Sequence, residues 1–237
     1  MKRSQEKELM DLAGQPKTLL EEDLGNLSML NRFLGGSRAA IRGLSRAAQR
    51  QGGSEFSLLD LGTGSADIPA AIVDWARRRG IAMSIVALDT NPITVQTALT
   101  RTRGIPEVSI VRADAMRPPF PARSFDFVLA SQLLHHFSAE TIVGALRAWS
   151  ELARKAIIIS DLIRHPIAYH AVRCLTRLFT RNIMTLTDAP LSVKRAFTAT
   201  EWRELFTAAG IGRFELISVF PFRLVGVFRL DDEHDRR

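Results

Sequence analysis

A glycine-rich turn directly after an apolar run is typical of a nucleotide-binding site. The segment LLDLGTGSAD spans residues 58–67 and places Gly62 and Gly64 where a strand would pass into a helix. Dinucleotide-binding turns carry a third glycine, which lets the helix pack close to the strand while the pyrophosphate meets the helix N-terminus. Here Asp67 occupies that position, and its carboxylate would repel a pyrophosphate. The turn therefore disfavours NAD and FAD, and the Gly-Lys-Ser/Thr of a P-loop does not follow it.

An acidic turn suits a ligand that carries positive charge together with hydroxyl or amino donors. S-adenosylmethionine is such a ligand, since it has a sulfonium, an ammonium and no phosphate. Two further acids follow later apolar segments, Asp89 in VALDTNP and Asp114 in VRADA. Asp89 stands about 25 residues after the turn, where a carboxylate can accept hydrogen bonds from two ribose hydroxyls. Taken singly, each acid could equally form a strand-end turn, help to cap a helix or lie in a loop.

Four motifs in order resemble those of the class I S-adenosylmethionine-dependent methyltransferases, over roughly residues 55–230. They are DLGTGSA, VALDTNP, VRADA and FDFVLASQLLHHF. Asp67, directly after the first motif, is similar to the acid found there in a subset of this class, the relatives of the ubiquinone/menaquinone-biosynthesis methyltransferases. The resemblance implies that Asp89 binds the ribose, that Asp114 accepts the adenine amine and that the backbone N–H of Ala115 meets a ring nitrogen. It implies S-adenosyl-L-methionine as cofactor and S-adenosyl-L-homocysteine as product, bound by Asp60, Gly62, Thr63, Gly64, Asp67, Asp89, Thr90, Asn91, Asp114, Ala115, Ser131 and Gln132.

Two adjacent histidines are the candidate catalytic bases. Methyl transfer from a sulfonium is an in-line displacement, in which the protein aligns the nucleophile and excludes water. An oxygen nucleophile also benefits from a base. His135 and His136 follow the fourth predicted strand, and Asp161 ends the fifth, where it could orient a histidine or contact the substrate. Packing, hydrogen bonding and loop capping are the alternative roles. Lower-ranked candidates on the next helical stretch are His165, Tyr169 and His170.

The accessory segments favour a small, largely apolar acceptor. The N-terminal helices and an insertion at about 165–195 are expected to lie over the carboxyl ends of the strands, where open α/β sheets bind ligands. Residues that could wall a pocket there, or pack on the core, are Leu175, Leu178, Phe179, Ile183 and Met184. The segment LSVKRAF, residues 191–197, loosely resembles an element of polyketide-associated bacterial methyltransferases. We therefore predict O-methylation of an aromatic or polyketide-derived hydroxyl, with C-methylation of a quinone-like ring as an alternative.

The sequence lacks the residues that two other kinds of methyl transfer require. Amino methylation of adenine in nucleic acid uses an Asn/Asp-Pro-Pro-aromatic turn, and Ser131-Gln-Leu-Leu stands at that place. Cytosine carbon-5 methylation needs a cysteine nucleophile, whereas Cys174 lies among apolar residues and is predicted to be in the core. A single cysteine also excludes an intramolecular disulfide and a multi-cysteine zinc site. No metal is expected.

The net charge of +7 raises the question of a nucleic-acid partner. Residues 55–160 hold 11 basic and 10 acidic side chains, so the surplus lies in the flanks. Arginines recur every four residues in two sets, which places each set on one side of a helix. The sets are Arg38, Arg42, Arg46 and Arg50, and Arg173, Arg177 and Arg181. We predict that both arginine sets lie on solvent-exposed helix faces. The alternative is an RNA or protein methyltransferase that binds its substrate through them.

The remaining pattern predicts one α/β domain with helical additions. Residues 1–54 are predicted to be a helical cap, residues 55–230 the cofactor-binding domain and residues 231–237 a disordered tail. Five apolar strands alternate with amphipathic helices, which indicates a parallel sheet covered on both faces. Two further strands, Arg213–Val219 and Phe222–Leu230, are joined by so short a link that they must pair antiparallel. The expected fold is a Rossmann-like, seven-stranded, mostly parallel sheet with an antiparallel C-terminal hairpin, and the helical insertion forms a lid.

The absence of targeting and membrane-spanning patterns underlies our expectation for the compartment of the protein. The N-terminus has no apolar core segment and so does not resemble a signal peptide. No run approaches about 18 apolar residues, the length that a transmembrane helix needs. We therefore expect a cytoplasmic monomer or homodimer that acts on a small molecule, with nucleic acid disfavoured as a partner.

Overall fold

A seven-stranded sheet forms the centre of the protein. The computed structural model describes residues 1–49 and 53–230. The strands are β1 (Glu55–Leu61), β2 (Ala82–Asp89), β3 (Val108–Arg112), β4 (Phe125–Ser131), β5 (Ala153–Leu162), β6 (Arg213–Val219) and β7 (Arg223–Arg229). Their order is β3-β2-β1-β4-β5-β7-β6, and within this sheet β7 runs in the direction opposite to the other strands. The predicted mostly parallel sheet with an antiparallel C-terminal hairpin is confirmed.

In the described part of the chain, eight α-helices connect and cover the strands, and several begin at residues that the sequence marks as caps. The helices are α1 (Lys17–Phe33), α2 (Gly36–Ala48), α3 (Asp67–Arg77), α4 (Pro92–Arg101), α5 (Ala139–Leu152), α6 (Pro166–Phe179), α7 (Ile183–Arg195) and α8 (Ala199–Ala209). The side chain of Asn91 accepts the backbone N–H of Ile93 ahead of α4. Thr198 and Glu201 form a reciprocal capping box at α8, which satisfies two N–H groups that the helix leaves free.

The apolar core lies on both faces of the sheet. One face carries α5 and α8, with Trp149, Trp202 and Phe206 buried among strand residues. The other face carries α2 and α3, with Leu44 and Ile72 buried. Full burial of one such aliphatic side chain stabilises the fold by about 1.5–3 kcal/mol. A sheet that is covered on both faces leaves only its edges and strand ends open to a ligand.

The second N-terminal helix does not lie where the sequence analysis expected it. Instead of covering the carboxyl ends of the strands, α2 packs flat on the sheet, and a Cβ added at Gly43 would lie 2.5 Å from Ile158 and 2.7 Å from Val225. Its glycine and alanine face allows this close approach. The carboxyl ends are covered instead by α1, α6, α7 and the extended N-terminal segment before α1.

The insertion at 165–195 consists of two helices, and some of its residues differ from expectation. Cys174 is exposed, so the prediction of a core cysteine is wrong. Leu178 and Ile183 are also exposed, at 84% and 58%, and wall no pocket. The two helices of the insertion pack mainly on each other, which leaves these two positions open to solvent. Met184 is buried against α1, and Leu175 lines the cavity described below.

The arginine stripes have the solvent exposure of ordinary helix faces. The side chains of Arg38 and Arg42 are exposed, whereas Arg46 is half-buried and pairs with Glu215 at 2.9 Å. Exposed arginines on and after α6 are Arg173, Arg177 and Arg181. Arg50 and the predicted tail 231–237 lie outside the described residues. Across the described helices, none combines the length and hydropathy needed to cross a bilayer.

Replacing Gly43 tests the docking of α2. The variant Gly43→Ala should lower the free energy of unfolding by about 1–3 kcal/mol, because the added methyl group overlaps Ile158 and Val225. Gly144→Ala is the matched control, since its Cβ meets nothing within 4 Å and should stabilise the exposed helix by about 0.5–1 kcal/mol. Chemical denaturation measures both. Equal effects would contradict the close packing of α2.

A buried carboxyl on α1 should make stability depend on pH. Burial raises the pKa of Asp23 to about 6, even though Thr185 donates a hydrogen bond to it, and Asp188 and Glu22 raise it further. The folded protein therefore holds a proton that the unfolded chain releases near pH 4, so stability is lost as the pH rises from 4 to 6. Denaturation between pH 4 and 7 should show a smaller loss in Asp23→Asn. An identical pH profile would contradict the assignment.

Candidate active site

One large cavity opens at the carboxyl ends of the parallel strands. Its volume is about 730 Å³, and it extends from the glycine-rich turn to the two adjacent histidines. Its roof comes from the leucine face of α1 and from α6 and α7. Leucines recur every three or four residues on the face of α1 that lines this space, at Leu20, Leu24, Leu27 and Leu30, and Leu34 directly after the helix continues the series. The cavity therefore has a polar floor and an apolar roof.

The glycine-rich turn after β1 has a backbone that needs its glycines. Gly62 and Gly64 have φ angles of 68° and 58°, in the left-handed region that glycine adopts without strain. A Cβ at Gly62 would also lie 2.7 Å from the side chain of Leu133. Ala66 has a positive φ as well, and α3 begins at the next residue. The turn thus brings backbone N–H groups and a helix N-terminus to the cavity.

Asp89 holds two of the cavity loops together. One of its carboxylate oxygens accepts the backbone N–H of Gly64 at 3.1 Å, and the other accepts that of Asn91 at 3.0 Å. Burial raises the pKa of Asp89, an effect that these backbone donors oppose. The carboxylate is therefore fixed at the ends of β1 and β2, where the sequence analysis placed a ribose-binding acid.

The two other acids of the turn, Asp60 and Asp67, have different surroundings. Asp60 is fully buried, and burial raises its pKa to about 7. Asp67 accepts a hydrogen bond of 3.1 Å from the side-chain amide of Asn31, and the same Asn31 accepts a hydrogen bond of 2.5 Å from Gln132. Asn31 on α1, which sequence reasoning missed, therefore ties the first cavity loop to the loop after β4.

The third and fourth motifs also reach the cavity. Asp114 is exposed at its rim and accepts the backbone N–H of Met116 at 2.8 Å, while Ala115 is buried. Ser131 is buried, and its hydroxyl has no hydrogen-bond partner among the described residues. Thr90 lines the cavity beside Asn91. All twelve predicted cofactor residues except Asp60 line the cavity, and Asp60 lies directly beneath the turn.

The two histidines each hydrogen-bond to a carboxylate. Nδ1 of His135 lies 2.8 Å from Asp161, and Nδ1 of His136 lies 2.8 Å from Asp11. Burial opposes ionisation of Asp161, but the His135 ring outweighs this and lowers the pKa of the carboxyl. In a neutral ring whose Nδ1–H donates to a carboxylate, Nε2 carries the free lone pair. In both histidines Nε2 is therefore left free by the carboxylate partner, and it faces Glu8, a residue that lines the cavity.

Glu8 completes a cluster that we call the histidine–carboxylate cluster: Glu8, Asp11, His135, His136 and Asp161. The side chain of Glu8 is buried, with Oε1 at 3.6 Å from Nε2 of His135 and Oε2 at 3.9 Å from Nε2 of His136. Burial raises the pKa of Glu8 to about 7, although the charge of His136 opposes the shift. The sequence analysis missed Glu8 and Asp11, because the N-terminal segment holds no strand-end motif.

Arginine side chains hold the N-terminal segment in place. The three guanidinium nitrogens of Arg195 donate to the backbone carbonyls of Glu6, His135 and His136. Arg3 donates to the carbonyl of Phe137 at 2.8 Å and to that of Arg195 at 2.6 Å. These contacts explain why a segment that begins the chain can complete a site some 130 residues away.

Arg223 is a further cavity residue that sequence reasoning missed. It is 4% exposed, and burial lowers its pKa to about 10 although Asp161 and Asp67 oppose the shift. Its Nη1 has no partner within the part of the chain that the structure describes. A buried guanidinium with an unused donor is suited to an anionic group of a ligand. Its position on the antiparallel strand β7 concealed it from motif-based reasoning.

The three lower-ranked candidates at the start of and on α6 do not reach the cavity. His165 accepts the backbone N–H of Ile167 at the start of α6, and its ring stacks on Phe222 at 4.9 Å. Tyr169 packs under the ammonium of Lys194 at 4.9 Å. Together with His170 they lie outside the set of described residues that line the cavity.

Comparisons with known proteins agree on one kind of domain. Residues 58–156 match the family model described as a methyltransferase domain. No curated protein matches the chain. A human N-acetylserotonin methyltransferase in complex with S-adenosylmethionine is similar in structure at 16% identity and a TM-score of 0.66, over 92% of this chain and 57% of that one. This chain thus spans little more than half of the human enzyme.

Two microbial structures are similar as well. An O-methyltransferase family 2 protein from Planctomyces limnophilus, in complex with apigenin, has 16% identity and a TM-score of 0.65, over 93% of this chain and 63% of that one. A putative S-adenosyl-L-methionine-dependent methyltransferase from Methanococcus maripaludis has 15% identity and a TM-score of 0.62, over 94% and 99%. These likenesses establish the fold. Together with the match over residues 58–156, they show that this part of the chain is a methyltransferase domain within that fold.

Proposed function

We propose that the protein transfers a methyl group from S-adenosylmethionine to a hydroxyl of a small, largely apolar aromatic acceptor. The observation that carries this proposal is the continuity of one cavity from the acidic turn, at Gly64 and Asp89, to His135 and His136. Such continuity lets a donor at one end and an acceptor at the other meet inside a space that excludes bulk water.

The donor lies along the loops that follow β1, β2 and β3. Asp89 binds the ribose hydroxyls, because its carboxylate is fixed by the backbone N–H groups of Gly64 and Asn91 and still has acceptor capacity. Asp114 meets the adenine at the rim. Arg223 pairs with the carboxylate of the methionine moiety, since its free Nη1 is a buried cationic donor with no protein partner among the described residues.

The acceptor lies under the apolar roof. Leu27 and Leu30 of α1, Val172 and Leu175 of α6, and Phe222 supply the apolar surface around the space above the donor loops. Apolar walls with a few placed polar groups are the usual composition of small-molecule sites. The Planctomyces relative was crystallised with apigenin, a phenolic compound, which supports an aromatic hydroxyl as the acceptor class.

In the proposed reaction the S–CH₃ bond breaks as the O–CH₃ bond forms. The sulfonium becomes a neutral thioether, and the hydroxyl proton passes to the histidine–carboxylate cluster. Asp161 is a positioning residue, because its hydrogen bond to Nδ1 of His135 fixes the ring and directs Nε2 to the cavity. Asp11 does the same for His136. Removing the proton raises the nucleophilicity of the oxygen.

Asp89→Ala tests the donor site. The variant should bind S-adenosylmethionine more weakly by about 1.5–3 kcal/mol, the scale for a lost charged hydrogen bond, and calorimetric titration measures the loss. Asp126→Ala is the matched control, because that partly exposed acid lies at the opposite end of β4. Unchanged affinity in Asp89→Ala would remove this residue from the donor site.

His135→Asn and His136→Asn test the acceptor end. Asparagine can still donate to the carboxylate partner but lacks the basic nitrogen, so turnover should fall by about 100-fold or more while donor affinity stays constant. The assay follows transfer of a labelled methyl group to a panel of phenols and quinone-like rings, with His170→Asn as control. Methylation at a ring carbon would instead favour the C-methyltransferase alternative, and donor binding without any transfer would contradict the proposal.

A further inference from the structure

We infer that Glu8, His135 and His136 form a binding site for one divalent transition-metal cation of the Zn²⁺ type. One oxygen of Glu8 and one ring nitrogen from each histidine all lie within 4.8 Å of one another. Glu8 and His135 are buried and His136 is 15% exposed in its side chain, so the three groups share a space with little solvent. One carboxylate and two imidazoles also form the three-residue protein ligand set of known catalytic zinc sites.

The separations fit coordination better than hydrogen bonding. Oε1 of Glu8 lies 3.6 Å from Nε2 of His135, and Oε2 lies 3.9 Å from Nε2 of His136. Both distances are too long for a hydrogen bond. Ligand atoms around a tetrahedral Zn²⁺ lie about 3.3 Å apart, so the three ligand atoms, which now lie within 4.8 Å of one another, would draw together on binding.

The unused atoms point to the same conclusion. Oε1 of Glu8 is fully buried and has no hydrogen-bond partner among the described residues. Arg195 lies 3.7 Å from this oxygen, but its three guanidinium nitrogens donate to backbone carbonyls. An unsatisfied buried carboxylate oxygen costs free energy, and a cation would remove that cost.

The outer hydrogen bonds orient both histidines for coordination. Each ring directs Nδ1 to a carboxylate at 2.8 Å, His135 to Asp161 and His136 to Asp11. Histidine ligands of metals almost always donate their other ring N–H to such a partner, which fixes the tautomer and makes the ligating nitrogen more basic. Two carboxylate–histidine pairs that converge on a third carboxylate form the inner and outer ligand set of a metal centre.

The local charges also admit a cation. Among the described residues, Arg195 lies within 4.0 Å of Glu8 and Asp11, while Arg3 and Arg223 act on Asp161 from further away. Glu8 is buried and its Oε1 has no hydrogen-bond partner in the described part of the chain, so a divalent cation would stabilise it as a carboxylate. The cation would take up the Nε2 lone pairs that act as bases in the proposed reaction, and its open coordination position would activate water or an acceptor oxygen in their place. That chemical role rests on the proposed function, whereas binding of the cation does not.

Binding of Zn²⁺ to the full chain, prepared without a histidine tag and treated with a chelator, tests the site. Calorimetric titration and elemental analysis after desalting should show one Zn²⁺ per chain. Glu8→Gln keeps the shape of the side chain but removes its charge, and should weaken binding by about 10–100-fold or more. Asp11→Asn should weaken it within the same range, because Asp11 orients His136. His170→Asn, an exposed histidine outside the cavity, should bind like the wild type.

Three outcomes would overturn the inference. Two concern Zn²⁺: the absence of stoichiometric binding by the wild type, and equal affinity in the wild type and Glu8→Gln. Thermal melting in chelator shows whether each variant folds. The absorption spectrum of the Co²⁺-loaded wild type reports nitrogen and oxygen coordination without any substitution, and a spectrum identical to that of aqueous Co²⁺ would also contradict the site.

A titration of S-adenosylmethionine into the same samples separates this inference from the proposed function. Donor binding and methyl transfer without Zn²⁺ binding would refute the cation site and leave the proposed function standing. Stoichiometric Zn²⁺ binding without donor binding would support the cation site and refute the proposed function.

Discussion

The structure depends on how carboxylates are held at the carboxyl ends of parallel strands. Asp60, Asp89 and Asp161 end three strands of one sheet, and all three are wholly or largely removed from water. A carboxylate in such a place is stable only where N–H groups or cations meet it. Asp89 meets the N–H groups of two loops, and Asp161 meets an imidazole and two backbone amides. These contacts set the floor of the cavity, and every other functional element is placed relative to it.

The N-terminal segment turns this floor into an enclosed site. Residues 1–12 cross the strand ends because Arg3 and Arg195 donate to backbone carbonyls on both sides, and because Asp188 accepts the N–H groups of Leu9 and Met10. The leucine face of α1 then covers the cavity from above. This cover limits the access of solvent to the region between the glycine-rich turn and the histidines, which strengthens electrostatic interactions there. The same crossing brings Glu8 and Asp11 to the two histidines.

Much of the fold could be predicted from sequence because its signals are local. Alternating apolar strands and amphipathic helices specify a parallel sheet, and Asn91, Ser138 and Thr198 cap helices where their neighbours in sequence predict. The packing of α2 was not predicted correctly, because glycine and alanine at a helix surface indicate close approach without naming the partner. Cys174 was assigned to the core for a similar reason, since apolar neighbours along a helix do not show which face is covered.

The sequence by itself identified the glycine-rich and acidic motifs that line the cavity, and the two histidines, because each is a short pattern at a strand end. Only the tertiary structure decided that Glu8, Asp11 and Arg223 belong to the same cavity, since these residues come from the two ends of the chain. Their roles depend on which atoms face one another and on which buried groups lack a partner. Neither property follows from spacing along the chain, because contacts between distant segments are set by packing over the whole sheet.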